Sequence, residues 1–159
     1  MGPGRAEEIE RAVRLRLDER QVRFTPRRRR LVEVLAAATR PVTIAEISAQ
    51  APDLAVSSTY RNLVVLEGAG VVHRIVTGDD FARFELAEDL TGHHHHHLVC
   101  TACGSVEDLH ASPELEAAVA VAAARARRRG FDIEGHRLDL LGRCPACRRP
   151  AATVSATGR

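Results

Sequence analysis

Two Cys-x-x-Cys pairs constrain this chain more than any other feature. Cys100-Thr101-Ala102-Cys103 and Cys144-Pro145-Ala146-Cys147 share one spacing, which lets both thiolates of a pair face one tetrahedral ion. Gly104 follows the first pair and Gly142 precedes the second, and both permit the tight backbone of a metal knuckle. Four thiolates leave no open coordination position, so the expected ion is structural Zn2+, which supplies folding energy. The alternative is a set of redox or incidental thiols. No apolar run approaches membrane-spanning length and no secretory signal precedes the first polar helix. A cytoplasmic setting is expected, where cysteines stay reduced and bind metal more readily than they form disulfides.

A chain of 159 residues suits one or two small domains. With 45% hydrophobic residues, 3% aromatics and no Trp, its cores must rest on aliphatic side chains. Two such small cores are marginal, and a metal staple or a dimer partner would help. A charged helix is expected over about 5–20, with Ile9, Val13, Leu15 and Leu17 as its apolar stripe. A second opens at Thr25 as N-cap with Pro26 in its first turn, burying Leu31, Val32, Leu35 and Ala38. Thr43-Ile44-Ala45-Glu46 has the capping-box pattern of a third. A fourth starts near Ser57 or Ser58, turns Leu63 and Leu66 inward and ends near Gly68 or Gly70. Two strands, Val71 to Val76 and Phe81 to Leu86, flank the turn Thr77-Gly78-Asp79-Asp80. Helices followed by a hairpin outline a winged helix-turn-helix over residues 1–86. Residues 87–92 break the pattern and read as a hinge. Residues 93–149 read as strand, strand, helix (about Pro113 to Arg129, with Leu115, Ala118, Val119 and Ala122 on one face) and a last strand from Phe131 to Leu141. Residues 150–159 read as a disordered tail. The fold class is α+β: an N-terminal winged helix-turn-helix domain and a C-terminal α/β domain.

Five consecutive histidines, His93 to His97, run directly into Leu98-Val99-Cys100. In an extended segment side chains alternate faces. His95 and His97 then point one way, His94 and His96 the other, and one strand can serve two metal sites back to back. His73 and Glu85 from the hairpin are candidate partners on one side. Glu116 from the long helix and His136 from the last strand are candidates on the other. Each alone has a plainer reading, as surface carboxylate or half-buried strand residue, and the whole run could be merely solvated.

Net charge is only +2, but Arg27, Arg28, Arg29 and Arg30 form an unbroken basic run suited to phosphate contacts. In a helix-turn-helix the second helix enters the major groove led by its N-terminal residues, here Ser57, Ser58, Thr59, Tyr60 and Arg61. Tyr60 could instead belong to the core. A zinc hydrolase is a rival reading, but no His-Glu-x-x-His helix and no nucleophile context accompany the ligands. A metal-storage protein is a second rival, and it would not need the helical first half.

The His93–Gly104 string and the His136–Cys144 string resemble the His-rich stretch and zinc knuckles of the ferric uptake regulator family. Arg23-Phe24-Thr25-Pro26-Arg27-Arg28 and Ser58-Thr59-Tyr60-Arg61-Asn62-Leu63 are similar to its N-terminal and recognition-helix signatures. The resemblance implies a winged-helix domain, a dimerisation domain and a homodimeric repressor, not an enzyme, that binds an inverted-repeat DNA operator when loaded with metal. It implies structural zinc at Cys100, Cys103, Cys144 and Cys147. It implies an interdomain site at Glu85, His95 and His97, and a dimerisation-domain site at His94, His96, Glu116 and His136. It extends DNA contact to Arg23, Thr25, Arg27 and Arg28. The sequence departs from the pattern at Pro41 and Val42, where a hinge ligand is usual. His73 falls where zinc-sensing relatives take a ligand from the hairpin. Arg27 replaces Gln, and Thr59 replaces Val. His96 leans toward Zn2+ and Glu85 toward Fe2+ as the regulatory ion, with Mn2+ a further candidate. The peroxide-sensing branch typically carries Asp where Glu85 stands, which ranks it lower.

Overall fold

The computed structural model describes residues 3–76, 82–92 and 94–148. Helix α1 (Pro3–Glu19) buries Ile9, Val13 and Leu17, spaced four apart on one face. Leu15, expected in that stripe, is two positions off it and 60% exposed. Helix α2 (Pro26–Ala37) is capped by Thr25, whose hydroxyl accepts the Arg28 amide at 3.4 Å, and it buries Leu31, Val32, Val34 and Leu35. Ala38 ends this helix as its C-cap and is only partly buried.

Strand β1 (Val42–Thr43) leads into helix α3 (Ile44–Gln50) through the expected capping box. The Thr43 hydroxyl accepts the Glu46 amide at 3.2 Å, and the Glu46 carboxylate accepts the Thr43 amide at 2.7 Å. The Arg40 hydrogen bond, opposed by burial and aided by Thr43, brings the Glu46 carboxyl down to about 2. Helix α4 (Val56–Gly68) begins slightly earlier than expected, on an Ala55 N-cap without a side-chain bond, and buries Leu63 and Leu66. Gly70, at φ +69°, turns the chain out of α4 in a conformation that L side chains rarely adopt.

Strands β2 (Val72–Val76) and β3 (Ala82–Leu86) pair antiparallel, and the first sheet has the order β1-β3-β2. The expected turn at 77–80 and Phe81 lie outside the described residues. The stretch read as a hinge is a short helix, α5 (Glu88–Thr91), tied to what precedes it. Ala87 and Leu90 join the core that begins at Ile9, the Ala87 amide bonds to the Val71 carbonyl at 3.0 Å, and Asp89 pairs with Arg16. The apolar pair Ala87 and Leu90 explains the difference, because burying it anchors the segment.

The second sheet has the order β5-β4-β6. Strand β4 (His95–Cys100) is central, antiparallel to β5 (Val106–His110) and parallel to β6 (Asp139–Gly142). Helix α6 (Pro113–Arg127), capped by Ser112, connects β5 to β6, and α7 (Pro145–Arg148) follows. The last strand is shorter than expected: regular pairing begins only at Asp139, opposite His97, and residues 131–138 are irregular. His136 therefore comes from that irregular stretch and not from a strand. The tail after Arg149 lies outside the described residues.

The two halves are unequally packed. One aliphatic core fills the first, from Ile9 to Leu90. Among the described residues the second contributes only Val99 and Val106, packed with Ile75. Helix α6 buries no residue, and Val121, Phe131, Leu140 and Leu141 are exposed. No described helix is long and apolar enough to cross a membrane.

The capping box gives a direct check. Thr43→Ala removes the side chain that accepts the Glu46 amide, and a loss of about 1 kcal/mol is expected from urea unfolding of the N-terminal core. Thr43→Ser should recover most of it.

Candidate metal centres

Three groups of ligand-type atoms converge, each within 4.8 Å. In the first, Cys100 ends β4, Cys103 follows in the turn, and Cys144 and Cys147 flank the start of α7. Cys103 Sγ lies 3.8 Å from Cys144 Sγ, and the Cys144 amide donates to Cys100 Sγ at 3.3 Å. A tetrahedron with Zn–S near 2.3 Å has edges of about 3.8 Å, so the set fits zinc. Its protonation fits as well. Amide donors, first Cys144, then Cys103 and Ala102, bring the Cys100 thiol down to about 5. Cys147 is pushed up to about 12, first by Cys103 and then by Cys144. Thiols this close cannot all ionise without a cation among them.

The second group lies where β4 faces α6. Glu116 Oε1 is 2.9 Å from His96 Nε2 and 3.4 Å from His94 Nε2. Glu116 Oε2 is 3.4 Å from His136 Nε2, which is 3.1 Å from His94 Nε2. For nitrogen and oxygen ligands near 2.05 Å the tetrahedral edge is about 3.3 Å, so this set also fits a small divalent ion. His96 is 1% exposed, and its Nδ1 has no hydrogen-bond partner. Burial works against ionisation of Glu116, but the His96 hydrogen bond and the charges of His136 and His94 hold its carboxyl below the ordinary value.

The third group lies on the opposite face of β4, against β3. Glu85 Oε2 is 3.3 Å from His95 Nε2 and 3.4 Å from His97 Nε2. His97 Nδ1 is 3.2 Å from Asp139 Oδ1. Burial opposes both charges. Even so, His97 and then His95 hold the Glu85 carboxyl below its ordinary range, while Glu85 and then Asp139 raise His97. The alternation expected of the His run is thus present from His94 to His97, and His93 lies outside the described residues.

His73 is not brought into the third group. It sits across from Glu85 in the hairpin and borders the same small cavity, but its ring is not among the converging atoms. The sequence reading missed three carboxylates. Asp108, opposite His97 on β5, reaches within 3.9 Å of His95 Nε2. Asp139 holds the far nitrogen of His97, and Glu88 contacts both His94 and His95. Strand pairing brings the first two there, and nothing local to the sequence announced it.

At the other end, α3 and α4 form the helix pair. Ser57, Tyr60 (48% exposed) and Arg61 face outward together with Val56 and Val64, and Ser58 is half-buried. Thr59 is 1% exposed and faces the core, so it cannot reach a groove, which corrects the expectation that it touches DNA. Thr25 spends its hydroxyl on the α2 cap. Arg28 donates to Asn62 Oδ1 at 3.1 Å and to the Arg23 carbonyl. Arg29 pairs with Glu10, and Arg30 with Glu33. Within the basic run Arg27 is exposed, as is Arg23 before it, and the side chains of Arg29 and Arg30 are partly so.

Cys144→Ser is expected to lower the zinc retained per chain and the melting temperature together, read by elemental analysis and calorimetry. A variant that loses zinc but melts unchanged would count against a structural role for the first group.

Residues 19–141 match the model of the ferric uptake regulator family. The peroxide-responsive repressor PerR of Staphylococcus epidermidis is 31% identical over 131 residues, covering 80% of this chain and 82% of that protein. The ferric uptake regulator of Helicobacter pylori, whose structure is described as having three functional metal-binding sites, aligns with a TM-score of 0.70 at 22% identity, covering 92% of this chain and 96% of that one. The Vibrio cholerae ferric uptake regulator aligns with a TM-score of 0.62 at 26% identity, covering 82% and 98%. With its winged helix-turn-helix, its paired Cys-x-x-Cys knuckles and its two-faced histidine strand, this chain belongs to the ferric uptake regulator family.

Proposed function

We propose that this chain is a metal-dependent DNA-binding repressor, and that Glu85, His95 and His97 hold its regulatory ion. The observation that carries the reading is that Glu85 belongs to the hairpin of the first half while His95 and His97 belong to the second. An ion held by all three favours the arrangement of the halves in which they converge, and it shifts the equilibrium only by its differential affinity for that arrangement. Operator DNA, by linkage, tightens metal binding in return. The outward face of α4 supplies Tyr60, Val56 and Val64 for thymine methyls, and Arg61 for guanine or phosphate. The four cysteines hold zinc as a structural ion.

The chain acts as a homodimer. Helix α6 has 15 residues and buries none. A helix that short is marginal in water without a partner face. Val121, Phe131, Leu140 and Leu141 add exposed apolar surface in the same half, which a second copy would cover.

Within this role we infer a peroxide-responsive Fe2+ sensor, ahead of a sensor of Fe2+ or Zn2+ for uptake genes. Two histidines and one carboxylate with further positions open are the donor set of non-haem ferrous sites. The group contains no thiolate to favour zinc, and the Staphylococcus relative is named for its peroxide response. Ferrous iron held there would supply the one-electron reduction that starts peroxide cleavage; overall one peroxide would leave one oxygen on the ring of His95 or His97 and depart as one water. Glu85 replaces the Asp typical of that branch with the same carboxylate chemistry on a longer stem.

Gel shift on promoter DNA tests the whole reading. Fe2+- and Mn2+-loaded protein should both bind, and His95→Ala should bind at least about tenfold more weakly with either ion while remaining a folded dimer by sedimentation. Peroxide should release only the Fe2+ form, with the mass of one oxygen added at His95 or His97. Release without oxidation, or equal release of the Mn2+ form, would refute the peroxide response.

The pH dependence has a definite sign. Without metal, raised His97 stabilises the fold fully below its ordinary value of 6.5, and the effect fades as pH rises past its folded value. Lowered Glu85 stabilises above 4.5, and that effect fades as pH falls past its own folded value. The pair therefore helps the metal-free protein most between 4.5 and 6.5. Metal requires neutral His97, so affinity at this centre should rise as pH climbs past 6.5. Isothermal titrations on either side of that value check it, and a flat affinity would exclude His97 as a ligand.

A further inference from the structure

Glu88 has no part in the function proposed above, yet it touches both histidine centres. It sits on α5, whose neighbours Ala87 and Leu90 are buried in the N-terminal core. Its Oε2 is hydrogen-bonded to His94 Nδ1, and its Oε1 accepts the His95 amide at 3.3 Å and lies 3.8 Å from His95 Nδ1. In both rings the other nitrogen, Nε2, faces the ligand group: Glu116 and His136 for His94, Glu85 for His95. One carboxylate thus stands behind one ligand of each centre.

The two centres differ in how they connect to the DNA-binding half. The third group has Glu85 from that half. The second group, His94, His96, Glu116 and His136, draws every ligand from beyond residue 93. Glu88 gives it a direct polar link to the N-terminal core through His94, beside the bond from Arg137, next to His136, to the Arg74 carbonyl at 3.3 Å.

We propose that Glu88 is a positioning residue that couples the two histidine centres, so that an ion at the second group strengthens binding at the interdomain group. A cation on His94 Nε2 makes the Nδ1 proton a better donor and fixes the Glu88 carboxylate. The fixed carboxylate presets the His95 backbone and ring, which lowers the ordering cost of the interdomain centre. Linkage makes the effect reciprocal. The inference rests on the reading that both groups bind divalent ions.

The test is a mutant cycle on the full-length chain with its structural zinc retained, titrated with Co2+ and followed by visible absorption. His136→Ala removes the second centre. In the wild-type background it should weaken Co2+ binding at the interdomain centre about tenfold, within the usual range of coupling between sites. In a Glu88→Ala background the same substitution should change that affinity by less than about twofold, as expected of uncoupled sites. Glu88→Gln keeps an acceptor oxygen without the charge and should fall between. A merely structural role for Glu88 would weaken binding but leave the tenfold effect of His136→Ala intact, and that result overturns the proposal, as does no effect in the wild-type background. Should Glu88→Ala fail to fold by circular dichroism, the Gln background decides by the same criterion, a reduced effect supporting the coupling and an undiminished one overturning it. Wild-type protein that takes up no Co2+ beyond its zinc defeats the proposed function itself. Normal uptake with an undiminished cycle defeats the coupling alone.

Discussion

Strand β4 sets the geometry on which the rest depends. It is central in its sheet, so its backbone is paired on both edges and its side chains must leave from the two faces in turn. Four successive histidines are divided between those faces, two toward β3 and two toward α6. The same strand ends in Cys100, which brings the cysteine group to its far end. A one-residue slip of register would exchange the faces and dismantle both histidine groups together.

Ligand-type side chains gather toward the half with the smaller apolar core: two of the three groups lie wholly beyond residue 93, and the third takes Glu85 from the first half. The N-terminal half is held by aliphatic packing that needs no ion. The C-terminal half has few buried apolar side chains, an uncovered helix and a short final strand. The cysteine group joins β4 to the start of α7, and the Glu116 group joins β4 to α6 and to the irregular stretch before β6. Ions held by these groups would take the place of a hydrophobic core, as they do in other small folds.

From Glu85 to α4 the described elements pack against one another. Glu85 lies on β3, which pairs with β1 and β2, and β1 leads directly into α3. Arg28 bonds to Asn62, which bonds back to the Ser58 carbonyl at 2.9 Å, fixing α4 against α2. Arg28 and Arg29, two of the arginines expected to meet phosphate, also tie α2 to α4 and to α1. The short helix α5 extends the same body up to the first histidines, because Ala87 and Leu90 are sunk in its core.

Much of this was legible in the chain itself. The Cys-x-x-Cys spacing, the capping box at Thr43, the N-cap at Thr25 and the alternation of the His run are local patterns, and local sterics and hydrogen bonding suffice to fix them. The assignment of Glu85, Glu116 and His136 to opposite sides of the run followed from that alternation together with the family resemblance. Tertiary structure decided what depends on which strands meet. It brought Asp108, Asp139 and Glu88 to the histidines, left His73 beside the cavity but outside the ligand group, turned Thr59 into the core, and spent most of the arginine run on neighbours. A residue's type and spacing say what it can bind. Only packing says which partners reach it, because those partners arrive from strands and helices far away in the sequence.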